Sequence, residues 1–192
     1  MRSRVCQLTL VCLLSIGLAG CHRKEVAELK ALQAAMEVQQ LNLSKMDDFN
    51  SNVFSGQRWE LLGKSHAQNV VVHWPDGRTT NELGQHEQDL RAIFAWAPDT
   101  RITDHTVRVA NGDWTAVTGI MEGTFTQPMT MPDGKNIPPT GKRYSLPVAT
   151  FAHWKDGVMD EKHIYYDNDA LFTQLGVASD EGTYEDPFPD AK

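Results

Sequence analysis

The chain has 192 residues, 41% of them hydrophobic, and a formal net charge of −7. An acidic chain without a basic run offers a phosphate backbone nothing to hold, so nucleic acid is not an expected partner. Its three cysteines, Cys6, Cys12 and Cys21, all lie near the start, so no later segment can supply a disulfide, a thiolate nucleophile or a cysteine metal site.

Arg2 and Arg4 form a basic n-region, and Val5 to Leu18 supplies a short apolar stretch that is too short and wrongly flanked for a transmembrane helix. Leu18-Ala19-Gly20-Cys21 follows and resembles the lipobox of bacterial lipoproteins. That resemblance implies a signal peptide over 1–20 and an acylated N-terminus at Cys21, held in the membrane by its lipid chains. The alternatives are an ordinary secretory signal cut nearby or a plain apolar start. Loss of residues 1–20 removes two cations, Arg2 and Arg4, which takes the formal charge from −7 to −9. What remains suits one domain with a real core. His22, rather than Asp, follows Cys21, which resembles sorting to the outer membrane, facing the periplasm.

From Arg23 to Leu43 the apolar residues Val26, Leu29, Leu32, Met36 and Leu43 predict an amphipathic helix leading from the membrane, with a coiled-coil dimer as the alternative. Asp47 or Asp48 can cap a helical stretch at Phe49–Val53, and Gly56–Lys64 repeats the helical pattern around Trp59 and Leu62. Val70–Trp74 reads as a short strand stopped by Pro75-Asp76-Gly77, and Gly84–Ala95 as a helix ended by Ala97-Pro98. Two long strands follow, Thr100–Ala110 and Trp114–Gln127, joined at Asn111-Gly112-Asp113. The segment Thr126–Lys142, rich in proline, should be a loop; its Met129 and Met131 could line a flexible lid or an ordinary crossover. Strands Arg143–Trp154 and Val158–Asp167 complete the sheet, Asp169–Leu175 is helical, and 179–192 is an acidic tail. The order predicts an α+β fold, with N-terminal helices packed on one face of a curved antiparallel sheet. The organisation is a signal over 1–20, a tether over 21–43, a domain over 44–178 and a tail over 179–192.

Asp156-Gly157 is a two-residue turn signal of the type I′ kind, so the last two strands can be paired outward from Lys155 opposite Val158. That count puts Thr150 opposite His163, Val148 opposite Tyr165 and Leu146 opposite Asp167. One face then carries Leu146, Val148, Thr150, Ala152 and Trp154, and its partner strand adds Met159, Glu161, His163, Tyr165 and Asp167. Such a face, apolar with a few convergent polar groups, is how a ligand pocket is built. A bulge would reverse the parity.

The same stretch carries a family resemblance. A strand reading DGV-x-x-E-x-x-x-x-x-D-N from Asp156, followed by LFTQLG at Leu171–Gly176, resembles the close of a SnoaL-like polyketide cyclase domain. VVVHWPDG (Val70–Gly77), GTFTQP (Gly123–Pro128) and IPPTGKR (Ile137–Arg143) extend the likeness over Leu43 to Gly176. The family belongs to the cone-shaped superfamily of ketosteroid isomerase and nuclear transport factor 2. The resemblance implies cofactor-free proton abstraction beside a carbonyl, closing or isomerising a small hydrophobic substrate. It also implies a homodimer through the sheet.

By that resemblance Asp167 is the expected general base, and desolvation on an apolar face would suit it to the task. As Asp167-Asn168 stands directly before a helix, an N-cap is the competing role. His163 could polarise a substrate oxygen or shuttle a proton, or be a packed ring. Glu161 fits an acidic position of the family or a solvated edge, and Tyr165 an oxyanion donor or plain core. His73 resembles a pocket-mouth histidine, while Trp74 must point the other way. Thr150 and Val148 complete the expected substrate wall, and Glu122 has no secure face. His86 and Asp89 can pair on a helix, and His66, His105 and His153 lack the spacing of zinc ligands, so no metal is expected. There is no G-x-S-x-G nucleophile motif and no phosphate-cradling glycine loop. The alternative to an enzyme is a non-catalytic envelope module that binds a small hydrophobic molecule or a protein partner.

Overall fold

The structure is a computed structural model that describes residues 3–131 and 134–177, with side chains from residue 23 onward. The Cys21 side chain, where lipidation is expected, and the acidic tail over 179–192 therefore lie outside what the structure describes. Two units are distinguished, Met1–Leu41 and Asn42–Lys192. The first is helical from Ser3, and its apolar residues Val26, Leu29, Leu32 and Met36 are exposed. No helix among the described residues is long and apolar enough to cross a membrane.

Helix α1 (Ser3–Asp48) runs past the predicted end at Leu43, and its last turns bury Leu43 and Met46 in the core of the second unit. No cap separates it from the next turn, which is a π-helical Phe49–Phe54 in which Asp48 makes no capping bond. Asp48 Oδ1 instead accepts from Asn52 Nδ2 at 2.6 Å. A 3₁₀ turn at Trp59–Lys64 buries Trp59 and Leu62, the two residues that carried its pattern. Strand β1 (His66–His73), β2 (Thr79–Asn81) and helix α2 (Leu83–Trp96) follow.

The first of the two expected long strands is broken into β3 (Arg101–Thr103) and β4 (Arg108–Asn111), with Asp104 at φ 54° between them. Both pair with β5 (Trp114–Thr124). The proline-rich segment holds a minimal hairpin of β6 (Met129–Thr130) and β7 (Asn136–Ile137), and Met129 is buried. Strands β8 (Arg143–Lys155) and β9 (Val158–Tyr165) and helix α3 (Asn168–Leu175) complete the described elements.

The main sheet runs β2-β1-β9-β8-β5-β3, with β4 also on β5. Its pairings are antiparallel except β1 with β9, which is parallel. Strict alternation along β5 and β8 buries one face and leaves the other open, as expected of an antiparallel sheet covered on one side. Phe54 and Trp59 pack edge-on against Phe94 of α2 at 5.1 and 5.4 Å, over the buried face. The α+β architecture is the one the sequence predicts.

Candidate functional site

Asp156 and Gly157 both have positive φ, 52° and 79°, and Lys155 pairs with Val158, so the type I′ turn stands as expected. The register does not continue from it. Trp154 pairs with Met159, but His153 pairs with Glu161, leaving Asp160 as the extra residue of a bulge. Every residue of β9 beyond that point is turned over. Thr150 faces Ile164, not His163, and Ala149 faces Tyr165.

The inner face of β8 is as predicted: Leu146, Val148, Thr150, Ala152 and Trp154 are all buried. On β9 the inner side chains are Met159, Lys162 and Ile164. Glu161, His163 and Tyr165, expected inside, lie on the outer face. The apolar residues carried a signal for this. Met159 and Ile164 are an odd number of positions apart, so a strict two-residue period cannot bury both; one extra residue between them can.

Lys162 is the residue the sequence reasoning missed. It is 2% exposed, and its ammonium sits 4.0 Å from the centroid of the Phe49 ring. Among the described residues it makes no hydrogen bond or ion pair. Desolvation draws its pKa down to about 7, because burial penalises the charged form. Its charge also acts on two neighbouring histidines. His66 and His86 are held well below the usual histidine range, first by burial and then by the Lys162 cation. Both rings are almost fully buried, with centroids 5.0 Å apart.

Lys162 lines a small cavity of about 30 Å³, room enough for water. Phe49, Phe54 and Trp74 form its aromatic wall, and Leu90, Ile93, Ile102, Met121, Val148 and Ile164 its aliphatic one. Asn50, Thr150 and Tyr166 bring polar atoms to the same space. Burial raises the Tyr166 hydroxyl's pKa, so it remains a protonated donor. Thr150 and Val148 are thus the two expected wall residues that line the interior with Lys162. Trp74 points inward and His73 outward, which agrees with their opposed parity.

Asp167 does not face this space. It is exposed and caps α3, accepting from the Ala170 amide at 2.9 Å. With Tyr165 and Tyr166 it borders a separate open groove of about 390 Å³ over Thr118, Pro147, Val148 and Ala149. Glu122 is on the outer side of β5 and pairs with Arg101 at 2.6 Å. His86 and Asp89 do not pair; Asp89 accepts from Arg78 and Gln85.

On the outer face, β1 and β9 bring His73, Glu161 and His163 together. His163 Nε2 is 2.9 Å from Glu161 Oε1, and His73 Nε2 is 3.4 Å from the same oxygen. The two imidazoles stack, with centroids 4.1 Å apart and planes 11° off parallel.

A family model, SnoaL-like polyketide cyclase, matches residues 44–175. Solved structures of the same fold include a SnoaL-like polyketide cyclase from Jannaschia sp., 15% identical, with a TM-score of 0.64 over 73% of this chain and 94% of that one. A protein of Xanthomonas campestris described as a polyketide cyclase is 18% identical, with a TM-score of 0.63 over 72% of this chain and 98% of the other. IdmH of Streptomyces antibioticus, described as a polyketide cyclase, is 23% identical, with a TM-score of 0.57 over 70% and 99%. At these identities the likeness shows the fold alone. Among curated proteins none matches.

Proposed function

The chain belongs to the SnoaL-like polyketide cyclase family, and from that premise we propose that its interior cavity carries out a cyclase- or isomerase-type proton transfer on a small hydrophobic carbonyl compound, with Lys162 as the base. One observation carries this reading: the cavity's lone amine is buried without a counter-charge and titrates at about 7. A general base works best when its pKa lies near the working pH, and burial is how a lysine reaches that range. The neutral Lys162 amine takes a proton from the carbon beside the carbonyl and becomes ammonium. The electron pair moves onto the carbonyl oxygen as an enolate, which the new ammonium and the Tyr166 or Thr150 hydroxyl stabilise by charge and hydrogen bonding. Attack of that carbon on a second carbonyl closes a ring and leaves an alkoxide that takes the proton back from the ammonium, or return of the proton at another position isomerises the substrate. Either outcome regenerates the neutral amine, and no cofactor is consumed.

At about 30 Å³ the cavity is far below the several hundred Å³ of typical ligand pockets, so binding requires the walls to part. This favours one second reading, a non-catalytic module whose interior stays closed and whose ligand lies elsewhere. Exchange of the α-protons of acetone in D₂O, followed by ¹H NMR, separates the two. The enzyme reading expects exchange above the buffer rate that is lost in Lys162→Met; equal rates in both proteins would overturn it.

Two further features belong to the same proposal. Cys21 would carry the lipid that anchors the domain in the cell envelope, outer membrane and periplasmic face; Cys21→Ser should then release the protein into the soluble fraction. A second copy would dock on the open sheet face, where Trp114, Phe151 and Tyr165 are 40%, 43% and 54% exposed.

A further inference from the structure

The outer-face cluster offers two imidazoles and one carboxylate from two neighbouring strands. His73 and His163 are direct partners in the parallel β1–β9 pairing, so the backbone fixes their rings side by side. Glu161 lies two positions before His163, hence on the same face. One ligand atom from each of the three lies within 4.8 Å of the others. From these contacts we propose that His73, Glu161 and His163 form a mononuclear site for a divalent first-row transition ion of the Zn²⁺ type.

The distances suit that assignment. Donors bound at about 2.0–2.1 Å from a shared ion stand roughly 3 to 3.5 Å apart in tetrahedral or octahedral geometry. The two contacts to Glu161 Oε1, 2.9 and 3.4 Å, lie close to that range. The rings are near parallel, so directing both Nε2 lone pairs at one ion takes rotation of an imidazole about χ2, a soft torsion. The outer side of His73 is already arranged. Its Nδ1 lies 3.3 Å from Thr79 Oγ1 on β2, and an Nδ1–H donated to that oxygen leaves Nε2 free to bind metal. Two imidazoles and a carboxylate favour a borderline transition ion over Mg²⁺ or Ca²⁺, which prefer all-oxygen sites. Three protein ligands leave at least one coordination position for water or a small ligand. The side chains are 37%, 39% and 26% exposed for His73, Glu161 and His163, so an ion can reach them.

The expectation of no metal rested on sequence spacing within single segments. A site split between the first strand and the last leaves no such spacing.

The test is metal titration of the full chain after stripping with EDTA, with Zn²⁺ by calorimetry and Co²⁺ by visible absorption. The site predicts one ion per chain with a micromolar or tighter Kd. His163→Asn and Glu161→Gln should each weaken binding at least about tenfold, and Thr79→Val by about tenfold through the orientation of His73. His153→Asn, which removes the other half-buried histidine–carboxylate pair of this face, His153 Nδ1 to Asp160 Oδ1 at 2.6 Å, should change nothing. Failure of the unaltered protein to bind at 100 μM metal would overturn the proposal. So would binding that survives in both His163→Asn and Glu161→Gln; because the cluster is half-exposed, each variant's melting curve shows whether it remains folded.

Discussion

Desolvation draws the Lys162 amine to about 7 in the folded protein, while the unfolded chain protonates it near 10.5. Between those values the unfolded state binds the extra proton, so stability rises with pH from about 7 to about 10.5. The cost of burying the cation is full below about 7 and gone above about 10.5. Lys162→Met removes it, and should stabilise the protein at neutral pH by about 2–4 kcal/mol while abolishing proton transfer. Denaturant melts of both proteins at several pH values check this; a variant less stable at pH 7 would contradict it. His66 and His86 act in the acid range. Both are depressed below 6.5, so as pH falls through 6.5 the unfolded state gains protons that the folded state refuses, and stability is lost. Asp167 belongs to another account. As an N-cap, its replacement by Ala should cost about 1 kcal/mol and leave the Lys162 titration unmoved.

At the scale of elements, the difference between the predicted and the observed site comes down to one residue in β9. The turn at Asp156-Gly157 and the inner face of β8 are legible, because Asp-Gly and a sustained, mostly apolar alternation are strong local signals. Asp160 is not, since a bulge makes no local demand on side-chain type and shows only in the odd spacing of Met159 and Ile164. Reversed parity carried Glu161, His163 and Tyr165 to the outside and hid Lys162 in plain view, because a lysine on a strand reads as solvated. The ends of α2 and α3 fall within one residue of the reading, whereas α1 overran its own. Gly176 ends α3 at φ 68°, its amide bonded to the Thr173 carbonyl at 3.1 Å and the Val177 amide to Phe172 at 3.0 Å. Gly176→Ala should cost about 1 kcal/mol in thermal unfolding through that left-handed position; the end of the flexible Lys142 side chain, which a Cβ there would meet, can move aside. Gly123 is tight for a different reason. A Cβ at that position would come within 2.8 Å of the Tyr144 hydroxyl, which shares a 2.7 Å hydrogen bond with Thr100 in the core. Gly123→Ala should lower stability by about 1–3 kcal/mol, read from denaturant midpoints.

Over the whole molecule, the architecture followed from element order and a covered sheet, both of which depend on pattern rather than on any one position. Long-range pairing was less accessible: the parallel contact of β1 with β9 joins the two ends of the domain, and neither strand alone announces it. That contact builds the His73, Glu161 and His163 cluster outside while Lys162 of the same strand faces the core, so β9 serves both faces. If a second copy covers the open face, Phe151→Glu should convert a dimer to a monomer in sedimentation velocity without altering the melting midpoint by more than a degree or two; an unchanged sedimentation coefficient would count against the dimer. The claim on which the functional account depends is narrower. It is tested most directly by the pKa of Lys162, from a ¹³Cε NMR titration of the full chain with Lys162→Met to assign the signal. The account predicts a midpoint about 7, and a midpoint near 10.5, the ordinary value for a solvated lysine, would contradict it.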